Sequence, residues 1–255
     1  MPETITILNA TIDLDSKLLL LFVVVYIAGI IRGFTGFGSA LLTVPALAVL
    51  YGPVEAVIIE VLIEIPVSLG LLPVVLRKAE RKTVLPMLLM FIVFVPIGAL
   101  FLKVVEPDVM KVLISILVLF FVAIIAMQDK LAVLLSRSGI IAAGIFSGFS
   151  QGMTGMAGPL FATALLARGE DASLTRANIA ALAGGVIAVS VISFFLVGLI
   201  SLQAVVYAAL STPAILLGVW TGAILFNRFS HLNLRGIILA FLAVTAIVTL
   251  FQALA

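Results

Sequence analysis

Two glycine clusters occupy matching positions in two long apolar stretches of this chain, and no other feature constrains the backbone so tightly. The first is Gly29-Ile30-Ile31-Arg32-Gly33-Phe34-Thr35-Gly36-Phe37-Gly38, and the second extends from Gly144 to Gly158. Gly29, Gly33 and Gly36 fall in register with Gly148, Gly152 and Gly155. Glycine weakens a helix by roughly 1 kcal/mol relative to alanine. A chain that repeats this cost at matching positions needs a particular backbone shape there. In apolar surroundings, paired interruptions in two halves point to the binding site of a transporter.

The surroundings are those of a bilayer. Hydrophobic residues make up 64% of the chain and charged residues 10%, against about 25% charged in soluble domains. The mean hydropathy is +1.40. The 255 residues contain no long polar block that would form a separate soluble domain. A net charge of +2 is too small to suggest nucleic acid. The absence of Cys excludes disulfides, thiolate metal sites and thiol catalysis. His231 lies in a polar connector beside Arg228 and Arg235 and reads as a solvated interfacial group. No metal or cofactor is expected. The first residues carry Glu3, Asp13 and Asp15 and lack the positive start and cleavage site of a signal peptide, so the first apolar segment is expected to be retained.

Apolar runs bounded by charge, Pro or Gly predict full crossings at about 53–76, 84–104, 108–128, 172–198, 203–226 and 233–254. Each has the roughly 20 residues needed to cross about 30 Å of hydrocarbon. Placing the positive connectors inside leaves only Lys17, Lys103 and Lys111 external and Arg32 within the membrane. The connectors around 130–137 and 168–176 are then both cytoplasmic, so the glycine-rich segment between them enters and leaves on one side. Its arms, roughly 139–150 and 156–168, each reach only about 18–20 Å. The same logic makes about 17–51 a hairpin from the outside, with an external N-terminus and C-terminus. The expected fold is an all-α polytopic membrane protein in one transmembrane domain. It has two inverted-topology repeats, 1–128 and 129–255, each a broken-helix hairpin (about 17–51 and about 139–168) followed by three transmembrane helices.

Close helix packing is the other use of glycine. Gly144, Gly148 and Gly152 recur at four-residue spacing, as do Gly29 with Gly33 and Gly218 with Gly222. Packing is expected to account for Gly144, Gly148, Gly218 and Gly222. Gly36, Gly38, Gly155 and Gly158 are too crowded for a regular helix and read as tip residues.

At these residues the chain resembles the TauE/SafE family of sulfite and organosulfonate transporters. The resemblance rests on Gly33-Phe34-Thr35-Gly36-Phe37-Gly38 with Leu41-Leu42-Thr43-Val44-Pro45-Ala46-Leu47. It continues in Ser147-Gly148-Phe149 with Gly155-Met156-Ala157-Gly158-Pro159-Leu160, and in Pro96/Gly98 and Pro213/Gly218. The first motif is the more specific; Met156-Ala157 stands where a denser glycine run is usual. The resemblance covers nearly the whole chain. It implies secondary transport of small sulfur-containing anions, sulfite or sulfonates, aromatic ones included, across a bacterial inner membrane.

Within the membrane, Arg32 lies about 22 Å along the first arm, just before the proposed tip. A charge at such depth costs on the order of 2.5–3.5 kcal/mol on insertion scales, so it should face protein, water or an anion. Its planar fork matches two oxygens of a sulfonate; the alternative is a fixed pair with a glutamate. Its register mate in the second half is Gln151. The second arms start near Gly38–Ser39 and near Gly155–Gly158, where free backbone N–H groups and the helix dipole suit an oxyanion. The candidate substrate-binding residues are Arg32, Gly33, Phe34, Thr35, Gly36, Phe37, Gly38, Ser39, Ser150, Gln151, Thr154, Gly155 and Gly158. Phe34, Phe37 and Phe149, with Trp220 or Tyr207, are candidates for stacking on an aromatic substrate, or packing residues. Glu60 and Glu64 share one helical face, four residues apart. Two carboxylates so close in a low dielectric cannot both ionise cheaply. They are candidate proton-coupling residues, Glu64 before the shallower Glu60, or else structural partners of Arg32. The second half has Ile179 and Ala183 in those registers, so the device is asymmetric. Arg176 and Asn178 begin a helix near the expected entrance.

These features predict a proton-coupled secondary transporter, working by alternating access around the two tips. An anion channel of the same architecture is the alternative. No P-loop, G-x-S-x-G or buried His suggests an enzyme. The expected partners are a small anion and the lipid bilayer, with no nucleic acid, in a monomer or homodimer.

Overall fold

The computed structural model describes residues 3–7, 10–14, 16–127, 137–166, 168 and 171–229. The crossing expected at 233–254, His231, Arg235 and Lys130 lie outside the described residues. The chain begins with an antiparallel hairpin of β1 (Glu3–Ile7) and β2 (Ala10–Leu14), with Glu3 opposite Leu14 and Ile7 opposite Ala10. This hairpin is an addition to the all-α expectation. Its alternation of Thr and Ile suits a pleated strand.

Among the described residues, the elements that follow are all helices: α1 (Ser16–Thr35), α2 (Ala40–Tyr51), α3 (Pro53–Lys78), α4 (Arg81–Val104), α5 (Pro107–Ala126), α6 (Arg137–Thr154), α7 (Gly158–Leu166), α8 (Ala172–Val197) and α9 (Leu202–Phe229). Starts follow local chemistry. Pro107 with Asp108 opens α5, and the Asp171 side chain caps α8 by accepting from the amides of Ser173 and Leu174. Among the described residues, α1, α4, α5, α8 and α9 are long and apolar enough to cross a bilayer. At 26 residues α3 extends about 39 Å.

Both hairpins are present, α1–α2 and α6–α7; the first breaks at the expected tip, while the entering arm of the second is longer than expected. α1 runs 20 residues, about 30 Å, up to the expected first break, whereas α6 continues to Thr154 rather than stopping near 150. The reason lies in the glycines. Gly29, Gly33, Gly148 and Gly152 do not interrupt their helices; they let neighbouring backbones approach. A Cβ on Gly33 would overlap the Val219 carbonyl, and one on Gly152 the Val95 carbonyl. Gly98, Gly218 and Gly222 face the carbonyls of Phe149, Tyr26 and Ile30 in the same way, and a Cβ on Gly144 would come within 3.2 Å of Met90. This is small-residue packing, the use expected for Gly144, Gly148, Gly218 and Gly222.

Within the two hairpins the helices break at 36–39 and 155–157. Gly36 and Gly155 adopt φ of +84° and +71°, a region closed to most L-residues. The two breaks begin alike. Gly36 N donates to the Arg32 carbonyl and Gly155 N to the Gln151 carbonyl, both at 2.8 Å. The Thr35 and Thr154 hydroxyls each donate to the carbonyl four residues back, at 2.8 and 2.9 Å.

The most extensive packing crosses between halves: α1 lies on α9, and α6 on α4. Among the described residues, large apolar side chains face outward while several charged and polar ones are buried. Leu196, Phe195 and Trp220 are 77%, 72% and 65% exposed, whereas Arg32, Glu60, Glu64, Gln151 and Asn178 are buried. Water would reverse that arrangement; a hydrocarbon surround favours it.

Candidate functional site

The two breaks face one cavity of about 50 Å³. Its walls come from the first break and the start of α2 (Phe37, Gly38, Ser39), from Arg32, and from Glu60 and Glu64 on α3. The second half supplies Gln151, the tip Gly155–Gly158, Phe161 and, on α8, Ala183, Val186 and Ile187. The tips are in direct contact, since a Cβ on Gly158 would lie 3.0 Å from Phe37 Cβ.

Four polar side chains form one connected group. Arg32 Nε donates to Glu64 Oε2 at 3.2 Å, and its Nη1 donates to the Gly36 carbonyl. Nη2 takes part in neither contact. Ser39 Oγ lies 2.6 Å from Glu64 Oε1 and 2.8 Å from Glu60 Oε1. Glu60 is 1% exposed, and among the described residues its Oε2 has no hydrogen-bond partner. The Gln151 Nε2, buried and on the cavity wall, is likewise unpaired. An unpaired buried donor is costly in a dry site.

The backbone contributes less than a free helix end would. Leu41, Leu42 and Thr43 spend their amides on the carbonyls of Gly38 and Ser39. The amides of Ser39 and Ala40 have no backbone partner among the described residues. On the other side Pro159 has no N–H, and α7 opens with Gly158.

The structure therefore brings together Arg32, Phe37, Gly38, Ser39, Glu60, Glu64, Gln151, Gly155 and Gly158. Other expected residues shape the site from behind. Gly33 packs on α9, and Phe34 stacks edge-on against Phe226 at 5.4 Å. Thr35 and Gly36 build the first break. Thr154 hydrogen-bonds within its own helix, and Ser150 Oγ ties the second tip by donating to the Met156 carbonyl at 2.7 Å. Of the aromatic candidates only Phe37 reaches the cavity; Phe149 packs on Phe101, Tyr207 on Tyr51, and Trp220 faces outward. Arg176 sits over the Phe226 ring, and Asn178 accepts from Glu80 N at 2.8 Å. Sequence reasoning missed Phe161, Val186 and Ile187. The α8 residues could have been found by transferring the register of Glu60 and Glu64 to the second half, where Ala183 already marked the equivalent face.

The comparison with known families takes in both glycine-broken hairpins and nearly the whole chain. Residues 21–249 match the family described as Sulfite exporter TauE/SafE. The chain belongs to the TauE/SafE family. As a TauE/SafE protein it is a membrane transporter and not an enzyme. No curated protein and no solved structure gives a match. The TauE/SafE match covers both tips, α3 and α8, so every wall of the cavity falls inside it.

Proposed function

We propose that this protein is a secondary transporter of a small sulfur oxyanion, sulfite or a short aliphatic sulfonate, bound between the two tips. The observation that carries the reading is the cavity itself. It offers unpaired donors, Gln151 Nε2 and the Ser39 and Ala40 amides, next to a fixed cation, with no full positive charge left uncompensated. Such a site holds an oxyanion by dipoles and releases it readily. A volume of about 50 Å³ is small beside the ~300–1,000 Å³ of sites for drug-sized ligands. That favours few-atom anions; an aromatic sulfonate would need the tips to part.

The two halves act as inverted repeats, each supplying one tip, and access alternates as the α1–α9 and α4–α6 pairs move against one another. The close glycine packing within each pair supports their moving as units. Transport is coupled to protons through the Glu60–Glu64 pair. The protein resides in a bacterial inner membrane with external termini, as the positive connectors favour.

The test is uptake into proteoliposomes of sulfite, sulfate, short aliphatic sulfonates and aromatic sulfonates, with and without a pH gradient. Saturable uptake of sulfite or a short sulfonate, enhanced by the gradient, is the expected result. Flux that rises linearly with concentration and ignores the gradient would mean a channel.

A further inference from the structure

The contacts around Ser39 contain a proton that the transport reading does not assign. A hydroxyl has one hydrogen and donates once. Ser39 Oγ nevertheless sits at 2.6 and 2.8 Å from oxygens of two different carboxyl groups. Two ionised carboxylates, both pure acceptors, cannot share one O–H at those distances. One carboxyl must therefore bring a second proton and donate it to Ser39 Oγ.

The surroundings decide which one. Glu64 Oε2 accepts from Arg32, whose guanidinium stays protonated, so Glu64 is the ionised partner of a fixed pair. Glu60 has no cation of its own, is buried, and leaves Oε2 unpaired. An ionised carboxylate there would be uncompensated. Among the described residues, the groups around the cavity beside Glu60 offer no alternative. α1 presents Arg32, already paired; α2 presents only the Ser39 and Thr43 hydroxyls; α6 and the second tip present Gln151 and Gly155, both neutral. On α8 the lining is Ala183, Val186 and Ile187. The chain of donors then runs from Glu60 O–H to Ser39 Oγ, from Ser39 O–H to Glu64 Oε1, and from Arg32 to Glu64 Oε2.

Resting on the transport reading above, we propose that Glu60 carries the coupling proton and that one proton moves with each monoanion, so that transport is electroneutral. Glu64 and Arg32 cancel, and with Glu60 neutral the site has no net charge before the anion enters. Loss of the Glu60 proton to the release side places a second negative charge beside the anion and expels it. Glu64 is the positioning residue that holds Arg32 and orients Ser39.

The experiment uses the full chain in proteoliposomes with sulfite as probe, at acidic pH where it is the hydrogensulfite monoanion, the pH gradient and the membrane potential being clamped separately. Wild type should accumulate sulfite under a pH gradient and show no response to potential alone. Glu60→Gln should lose gradient-driven accumulation while sulfite counterflow, which moves no net proton, is reduced but still measurable. Glu64→Gln should lose both, because Arg32 loses its partner. Accumulation by Glu60→Gln under the gradient, or potential-driven accumulation by wild type, overturns the proposal. Infrared spectroscopy reads the proton without any substrate. A protonated-carboxyl C=O band should be present in wild type and absent in Glu60→Gln; a band that survives in Glu60→Gln overturns the assignment. Wild type without saturable counterflow refutes the transport reading alone, and the infrared band then still decides where the proton sits.

Discussion

The two hairpin tips share a backbone and differ in chemistry. Both break after a threonine that bonds the carbonyl four residues back, both turn through a positive-φ glycine, and both rest on glycine-packed helices of the other half. Yet where the first tip has Arg32, the second has Gln151; where it has Ser39, the second has Gly158, with no space for a side chain beside Phe37. Where α3 carries Glu60 and Glu64, α8 carries Ile179 and Ala183. The scaffold is duplicated and the charge is concentrated on one side. A single charged tip facing a neutral one can take up an anion and a proton without building a cage too strong to release them.

The sharpest way to break this comparison is to unbalance the charged tip. Arg32→Ala and Glu64→Ala each leave a buried partner alone, which should destabilise the protein by about 3–5 kcal/mol. Thermal unfolding in detergent would show it. The double change to Met at both positions should recover most of the loss without restoring sulfite transport. Single variants that melt with wild type would mean the pair is not what holds the tip.

The shared scaffold predicts equal sensitivity in the two halves. Gly33→Ala and Gly152→Ala each drive a methyl into a carbonyl of the facing helix, a conflict worth about 1–3 kcal/mol. A melting temperature lowered in one half only would argue against equivalent packing. On the neutral tip, Gln151→Leu removes an unpaired donor, so the fold should be unharmed. The affinity for sulfite, measured by calorimetry, should fall roughly tenfold, the equivalent of about 1.4 kcal/mol; unchanged affinity would remove Gln151 from the site. The smallest effect is expected for Gly36→Ala, whose side chain would enter open space. Only backbone strain opposes it, about 1 kcal/mol, and transport should persist with a slightly lower melting temperature.

Much of this was legible in the sequence. The register of Gly36 with Gly155 located both breaks, and the four-residue spacing of Gly218 and Gly222 anticipated their packing. The Arg32, Glu60 and Glu64 cluster was visible because charge inside an apolar stretch needs a partner. The length of α6 was misjudged because a glycine serving close packing and one serving a break look alike in a string of letters. Phe34, Phe149 and Trp220 could not be separated from Phe37 for a similar reason: an aromatic beside a tip points into the cavity or away from it according to helix rotation. The N-terminal β-hairpin was also not foreseen.

By itself, the sequence determined the bilayer as solvent, the family, the two broken hairpins and the set of groups able to carry charge at depth. These follow from composition and spacing, which act locally along the chain. Only the tertiary structure decided that Arg32 spends its guanidinium on Glu64, that Ser39 bridges two carboxyls, and that α8 closes the cavity with Ala183, Val186 and Ile187. The first two contacts join separate helices of the first half and the third brings in the second half, and hydrogen-bond partnership at about 3 Å depends on how whole helices are rotated and docked. No local pattern encodes that rotation, so the chemistry of the site became readable only once the helices were packed together.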